Sequence, residues 1–433
     1  MPRAQQFVSA AVALLVVVGI VVMSLNLRGD GIEAGASDSP SPSVAASPTQ
    51  SGAPIEQPSP ADGEDAHAVL AEIEEQVVGI RGLPAVDLEP ELLTRDQLRD
   101  ELLLQFEEDY PPEEVAADNA TLRALGLLDA DQDIADLQLQ LLGDQVLGFY
   151  NKTGRRMVIV TDEGLNPLAK FTYAHEYTHA LQDAAFGLAS LGIEEEGQDD
   201  QALARLALVE GDATATMLAW AFTNLEPAEL AEITNQPLPD TSGIPSWLVE
   251  QLVVFPYSDG LTWTSALTGI DPTRPDFAEV DAAFGNPPDS TEQIIDLAKW
   301  QSREPPVAIE PFDLAATMGG GWSEVADTPI GQAFIRMMLE YHGVAREEAL
   351  DASAGWGGDR VVVAIGPGGG FAVAWRLAWD TATDAEEFLG AYETAIANLD
   401  FPASVTQPQE GEVLVAHGSS AEILRRAIDA GGG

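Results

Sequence analysis

The 433-residue chain has no cysteine, only five histidines, and 20 basic residues against 71 acidic ones. Without cysteine, disulfide frameworks, thiolate metal sites, cysteine nucleophiles and lipid attachment through an N-terminal cysteine are excluded. Any metal must be held by histidine, aspartate or glutamate. Positive charge is scarce and unclustered, and the formal net charge is −51. That argues against a nucleic-acid partner, because phosphate binding needs concentrated positive charge. Such an acidic surface suits a salty exterior, where screening reduces self-repulsion. A field that draws in cationic substrates is the second reading.

What the chain does have begins with the apolar run FVSAAVALLVVVGIVVMSLNL, Phe7 to Leu27, inside an uncharged stretch bounded by Arg3 and Arg28. At about 1.5 Å per helical residue it can cross a ~30 Å hydrocarbon layer. Residues 1–30 are therefore expected to form a single-pass transmembrane anchor in the cell membrane, with the folded part extracytoplasmic because Arg3 stays inside. A signal peptide cleaved near Ala34-Gly35-Ala36 is the alternative. Residues 31–65 are rich in Ser, Pro, Ala and Gly without apolar periodicity, which predicts a disordered linker.

Helical periodicity starts at His67, and Thr94 to Gln97 read as a capping box opening a second helix. A further helix is expected over Ala135–Leu142, and Val146–Val160 reads as a hairpin turning at Asn-Lys-Thr-Gly. Helices at about Pro167–Phe186 and Ala202–Phe222 are separated by the acidic loop Gly192–Asp200. In the last third, a helix at Ile330–His342 precedes the strands RVVVAI and FAVAWRLAW, a helix, the strand EVLVAHG and a capped helix from Ser419 to Ala430. That β-β-α-β-α order predicts a small α+β domain over residues 306–433, after a first domain over 66–305. GPGGG between the first two strands is a hairpin turn and not a phosphate cradle, because no helix N-terminus follows it. The acids from Asp129 resemble a calcium loop, but Ile134 and Gln140 stand where glycine and glutamate are required.

The stretch FTYAHEYTHALQD, Phe171 to Asp183, carries the chemistry. On a helix, His175 and His179 lie on one face and can aim both imidazoles at one point. Two such histidines form half of a tetrahedral zinc site. Glu176 sits where it can take a proton from a zinc-bound water, as general base for attack on a carbonyl. From composition, a chance His-Glu-x-x-His in this chain has a probability of roughly 0.5%. A third histidine is excluded from the motif, because the metzincin pattern needs Gly and His where Gln182 and Ala185 stand.

Glu210, an acid inside the apolar helix ALARLALVEGDATATMLAWAF, is the candidate third ligand, because burying an unpaired carboxylate there costs several kcal/mol. Asp212 competes with it, but points about 200° around the helix; it is otherwise an outer partner of the site. Asp183 lies one turn beyond His179 and can accept the N–H of a ligating ring, or be a solvated acid at the helix end. Tyr257 in PYSDG can donate to an oxyanion, or be a core tyrosine. Ser290, Thr291 and Glu292 read as a helix cap and first turn. His67, His342 and His417 read as structural.

HEYTH followed by Glu210-Gly211-Asp212-Ala213 resembles the gluzincin zinc metallopeptidases, whose third ligand is a glutamate on a following helix. GFY, YAHEYTHALQD, ALVEGDAT, PYSDG and PPDSTEQI together are similar to a family of prokaryotic zincin-like proteins, from about Leu83 to Trp379. The resemblance implies an α+β fold with a mainly helical zincin-like catalytic domain and a short β-sheet. It also implies Zn²⁺ held by His175, His179 and Glu210, with Glu176 as base. One departure is the thirty residues between His179 and Glu210, more than in the thermolysin pattern, which the acidic loop accounts for.

The expected function is that of a membrane-anchored metallopeptidase acting on a peptide or protein, which pairs with the strand before the motif helix. The alternative is a non-catalytic surface scaffold with a structural zinc. A third possibility makes the C-terminal domain the binding module, although Trp356, Trp375 and Trp379 read by default as core.

Overall fold

The computed structural model describes residues 60–142, 146–162, 164–236, 240–269 and 271–432. The expected anchor and residues 31–59 of the expected linker lie outside these. Among the described residues no helix is long and apolar enough to cross a membrane. Helix α1 (Pro60–Arg81) begins inside the predicted linker. Proline suits a first helical turn, where its missing N–H would have no intrahelical partner.

Strand β1 (Glu91–Leu93) leads to Thr94, which caps α2 (Arg95–Asp109) in the predicted reciprocal box with Gln97. Helices α3 (Pro112–Ala124) and α4 (Ile134–Leu142) precede the hairpin of β2 (Gly148–Asn151) and β3 (Arg156–Val160). The hairpin belongs to a three-stranded sheet in which β3 is central, parallel to β1 and antiparallel to β2, with Phe149 opposite Val158. The strand directly before the motif helix is therefore paired on both sides, and its expected pairing with a substrate is not available. The sheet edges are β1 and β2. A three-residue strand such as β1 is too short to show alternation.

The two long helices α5 (Pro167–Phe186) and α6 (Asp199–Asn224) lie side by side, with α1 packed across both. Leu70, Ile73 and Val77 of α1 share a core with Tyr173, Tyr177 and Trp220. After α7 (Pro227–Thr234), a continuous helical run comprises α8 (Ser246–Val249), a π-helical segment (Glu250–Asp259) and α9 (Gly260–Thr268). Pro256 inside it removes a backbone donor and clashes with a regular α-turn; the chain widens to π there. Short helices α10 (Ala278–Gly285), α11 (Thr291–Ile295), α12 (Leu297–Ser302) and α13 (Leu314–Met318) follow. Ser290 caps α11, as expected.

The C-terminal part consists of β4 (Ser323–Thr328), α14 (Gly331–Tyr341), α15 (Arg346–Ser353), β5 (Trp356–Gly366), β6 (Gly370–Trp379), α16 (Ala382–Ile396), β7 (Ala403–Gln409), β8 (Glu412–Gly418) and α17 (Ala421–Gly432). Its five-stranded sheet has the order β4-β5-β6-β8-β7, which corrects the predicted β-β-α-β-α. The two strands absent from the prediction, β4 and β7, are the sheet edges, where polar residues and Pro408 are tolerated and apolar alternation fades. The central strands bury both faces. Val362, Ala364, Ala372 and Ala374 meet α13 and α17, whereas Val361, Val363 and Trp375 meet the core shared with α16. The fold is thus mixed α+β with two sheets.

A buried polar network joins this part to the start of α6. Asp359 accepts from the amides of Ile330 and Gly331 and from the indoles of Trp356 and Trp375. Asp200 accepts from the amide and hydroxyl of Thr291, and that hydroxyl accepts from Ala333. Burial pushes Asp200 up to about 7, with Asp359 adding to the rise against the pull of Thr291. Burial pushes Asp359 up to about 6.

Candidate metal centre

Helix α5 is built to hold its motif rigidly. Asn166 caps it by accepting from the Ala169 amide at 2.9 Å, Pro167 opens it, and Gly187 ends it with φ 70°. Every side chain from Phe171 to Gln182 is buried, including His175, Glu176 and His179. Helix α6 runs alongside with Glu210 equally buried.

The two helices bring three ligand atoms together. His175 Nε2 is 3.0 Å from His179 Nε2 and 3.1 Å from Glu210 Oε2, and His179 Nε2 is 3.4 Å from the same carboxylate oxygen. Ligands about 2.0–2.1 Å from a tetrahedral ion stand about 3.3–3.4 Å from one another, so this triangle has the size of one face of a zinc tetrahedron. Among the described residues it is the one group of three or more acidic, histidine or cysteine side chains with the spacing to hold a metal ion. The residues therefore fit a divalent metal with three protein ligands.

Without a metal the three groups offset one another's charge, and a bound ion would take the place of the proton that His179 then carries. As free side chains, burial drives His175 down from the ordinary histidine range. Burial opposes charge on His179 too, but the Glu210 carboxylate and its hydrogen bond outweigh it and bring His179 up to about 9. Glu210 is held below the usual carboxylate range, because the two imidazoles outweigh its burial. The site thus favours a carboxylate ligand facing positive charge.

Glu176 follows His175 directly and is close enough to His179 and Glu210 to feel their charges. One of its oxygens accepts from the Tyr150 amide of β2 at 2.9 Å, and the other has no hydrogen-bond partner. Burial, with Glu210 adding, pushes this carboxyl up to about 8 against the pull of His179 and Tyr150. Tyr257, on the π-helical segment, sets its ring 6.1 Å from that of His175. Its hydroxyl is buried and faces the Glu210 carboxylate. Burial and the charges of Glu210 and Glu176 hold the phenol well above its usual pKa, so it stays a donor.

Two glycines place these elements. A Cβ on Gly211 would lie 2.3 Å from the Gly260 carbonyl oxygen, and a Cβ on Gly260 would lie 2.3 Å from that of Ala207. Helices α6 and α9 therefore touch backbone to backbone, directly beside Glu210 and three residues after Tyr257. The glycines of the EGDA and PYSDG stretches are there for this crossing.

The outer partners differ in part from expectation. Asp183 does not reach a ligating ring: it accepts from the Tyr150 hydroxyl at 3.0 Å and from the Leu188 amide at 3.1 Å, tying down the helix end. The ring partner is Gln182, whose oxygen is 2.8 Å from His179 Nδ1. Asp212 is no ligand; it accepts from Gln182 and from Arg81 of α1, outside the triangle. Gln182 sits three residues from His179, a spacing that could have pointed to it. No local signal identifies Arg81, which arrives from 131 residues away. His342 and His417 bond the Leu125 and Ala124 carbonyls, and exposed His67 is equally remote from the triangle.

A cleft of about 210 Å³ reaches His179 and Glu210, with Phe149, Tyr150, Leu206 and Val209 among its walls. Lys152 of the β2–β3 turn and Glu194 of the acidic loop also line it and pair with each other.

Residues 319–426 match a family described as a domain of unknown function, DUF8575. The match covers most of the five-stranded sheet and its helices and none of the metal-site residues. No curated protein and no solved structure matches the chain.

Proposed function

We propose that the chain is a gluzincin-type zinc metallopeptidase with a zincin-like catalytic domain, anchored to the cell membrane by its N-terminal residues with the folded part outside. The observation that carries this reading is the buried His175–His179–Glu210 triangle, with edges of 3.0–3.4 Å, beside a carboxylate that has one unpartnered oxygen. Three protein ligands leave a tetrahedral position for substrate or water, as catalytic rather than structural sites do.

Zinc, when bound, acts as a Lewis acid that makes water a nucleophile at neutral pH and polarises the scissile carbonyl. Glu176 accepts the proton as the water oxygen bonds to the carbonyl carbon, and delivers it to the amide nitrogen as the C–N bond breaks. Its oxygen held by Tyr150 fixes the carboxylate orientation, leaving the other for the proton. Tyr257 donates to the carbonyl oxygen as negative charge gathers there. The edge strand β2, whose residues line the cleft, is where an extended peptide can add.

The purified chain is expected to carry about one zinc, lost on His175→Ala. Glu176→Gln keeps the metal and abolishes hydrolysis of a peptide library. Complete burial of His175 and Glu210 favours the second reading, a scaffold with structural zinc. Equal hydrolysis by wild type and Glu176→Gln would favour that scaffold, and wild type without zinc at neutral pH would refute both.

A further inference from the structure

We infer that Gln182 and Asp212 are positioning residues that lock His179 in the tautomer whose Nε2 is free to bind metal, with Arg81 as their anchor. The inference rests on the zinc reading above and names residues that the motif itself does not.

The amide of Gln182 has two ends, and its neighbours decide which faces His179. One end lies 2.8 Å from Asp212 Oδ2 and 3.0 Å from the Val209 carbonyl oxygen. Both are acceptors, so that end must be the NH₂ group. The oxygen is thereby turned to His179, 2.8 Å from Nδ1. An oxygen there requires a proton on Nδ1, and the neutral ring then presents its lone pair at Nε2, the atom in the triangle.

Asp212 can decide the amide only if it is itself held. Arg81 does this: its Nε is 2.8 Å from Oδ1 and 3.1 Å from Oδ2, with both side chains fully buried. The guanidinium also donates to Asp281 at 2.6 Å and stacks 4.4 Å from the centre of the Phe277 ring. One rigid guanidinium plane thus holds Asp212 through Nε and Asp281 through Nη2. The order Arg81, Asp212, Gln182, His179 therefore runs from α1 through α6 to the metal ligand on α5. An intact docking of α1 is part of the metal site.

The test uses the full chain with Asp212→Asn and Gln182→Met, the second removing the acceptor at nearly constant volume without disturbing the Arg81 ion pair. Zinc affinity is measured by chelator competition, and the coordination geometry from the visible spectrum of the cobalt(II)-substituted protein. Unfolding of the metal-free variants shows that each is folded under those conditions. Loss of such an outer partner typically weakens metal binding about 10–100-fold. That weakening, together with an altered cobalt spectrum in both variants, is expected. Wild-type affinity in both variants overturns the inference while leaving the zinc reading intact. Weakened binding with an unchanged spectrum assigns the residues to folding alone and overturns it as well. Wild type that binds no zinc overturns the site itself.

Discussion

Replacing Gly211 by alanine sets a helix-propensity gain against a steric loss. Alanine is favoured over glycine in a helix interior by about 1 kcal/mol, so the exchange should stabilise α6 taken alone. The added Cβ, however, would fall 2.3 Å from the Gly260 oxygen, 2.4 Å from its carbonyl carbon and 2.7 Å from Thr264 Oγ1. Two of these are backbone atoms and cannot rotate away. Restoring ordinary contact requires α6 and α9 to part by roughly 1 Å, an overpacking that costs about 1–3 kcal/mol. The net expectation is a loss of up to about 2 kcal/mol, read as a lower urea midpoint at unchanged slope. Metal binding should suffer more than stability. Glu210 adjoins Gly211, and zinc tolerates ligand displacements of only about 0.2 Å, so affinity by chelator competition should fall at least about tenfold. Gly390→Ala is the control: this helical glycine on α16 has nothing within 4 Å of its added Cβ, and the substitution should stabilise by up to about 1 kcal/mol. If Gly211→Ala stabilises like the control, or binds zinc as wild type does, the helices do not cross as described.

If the triangle holds zinc as proposed, stripping it should lower the thermal midpoint, because an ion there would tie α5 to α6; at a thousandfold excess over its dissociation constant a bound ligand contributes about 4 kcal/mol. A midpoint unmoved by chelator would count against the site. Tyr257→Phe should retain zinc and lower kcat about 100-fold with little change in KM, as removal of an oxyanion donor does; undiminished turnover would leave the tyrosine as core packing only. The raised carboxyl of Asp200 favours the protonated fold, so its contribution is complete below about pH 4 and is lost as pH rises towards about 7. Asp200→Asn should therefore gain on wild type between pH 4 and 8 in urea unfolding, and parallel profiles would show that Asp200 ionises in the fold at no cost.

Local chemistry made the ligand side of the centre readable. A helix needs only its own sequence to place His175 and His179 on one face, and Glu210 stood out as the acid that an apolar helix must explain. The capping box at Thr94, the hairpin before α5 and the limits of α5 were legible for the same reason, since each depends on neighbours within a few residues. Asp183 shows where such reasoning stops: the i+4 spacing places it on the right face, but the helix end and Tyr150 claim its carboxylate. The edge strands β4 and β7 were missed because partners on one side alone impose little apolar pattern.

Distances between ligands depend instead on contacts far apart in the chain. Glu210 reaches the histidines because α6 is set by Gly260 on one side and, through Asp212, by Arg81 on another. Neither contact has a local signature. Yet both draw on the five residues from Glu210 back to Val209 and on to Ala213: Val209 accepts from Gln182, Gly211 admits α9, and Asp212 orients Gln182 and holds Arg81. A substitution at Gly211 or Asp212 should therefore disturb metal binding without touching a ligand. Gly211→Ala should do so by moving Glu210 as a body, and Asp212→Asn by freeing the ring of His179. The two residues are adjacent and act on ligands of one ion, so their losses of zinc affinity should couple rather than add, and strict additivity in the double variant would show that they act independently.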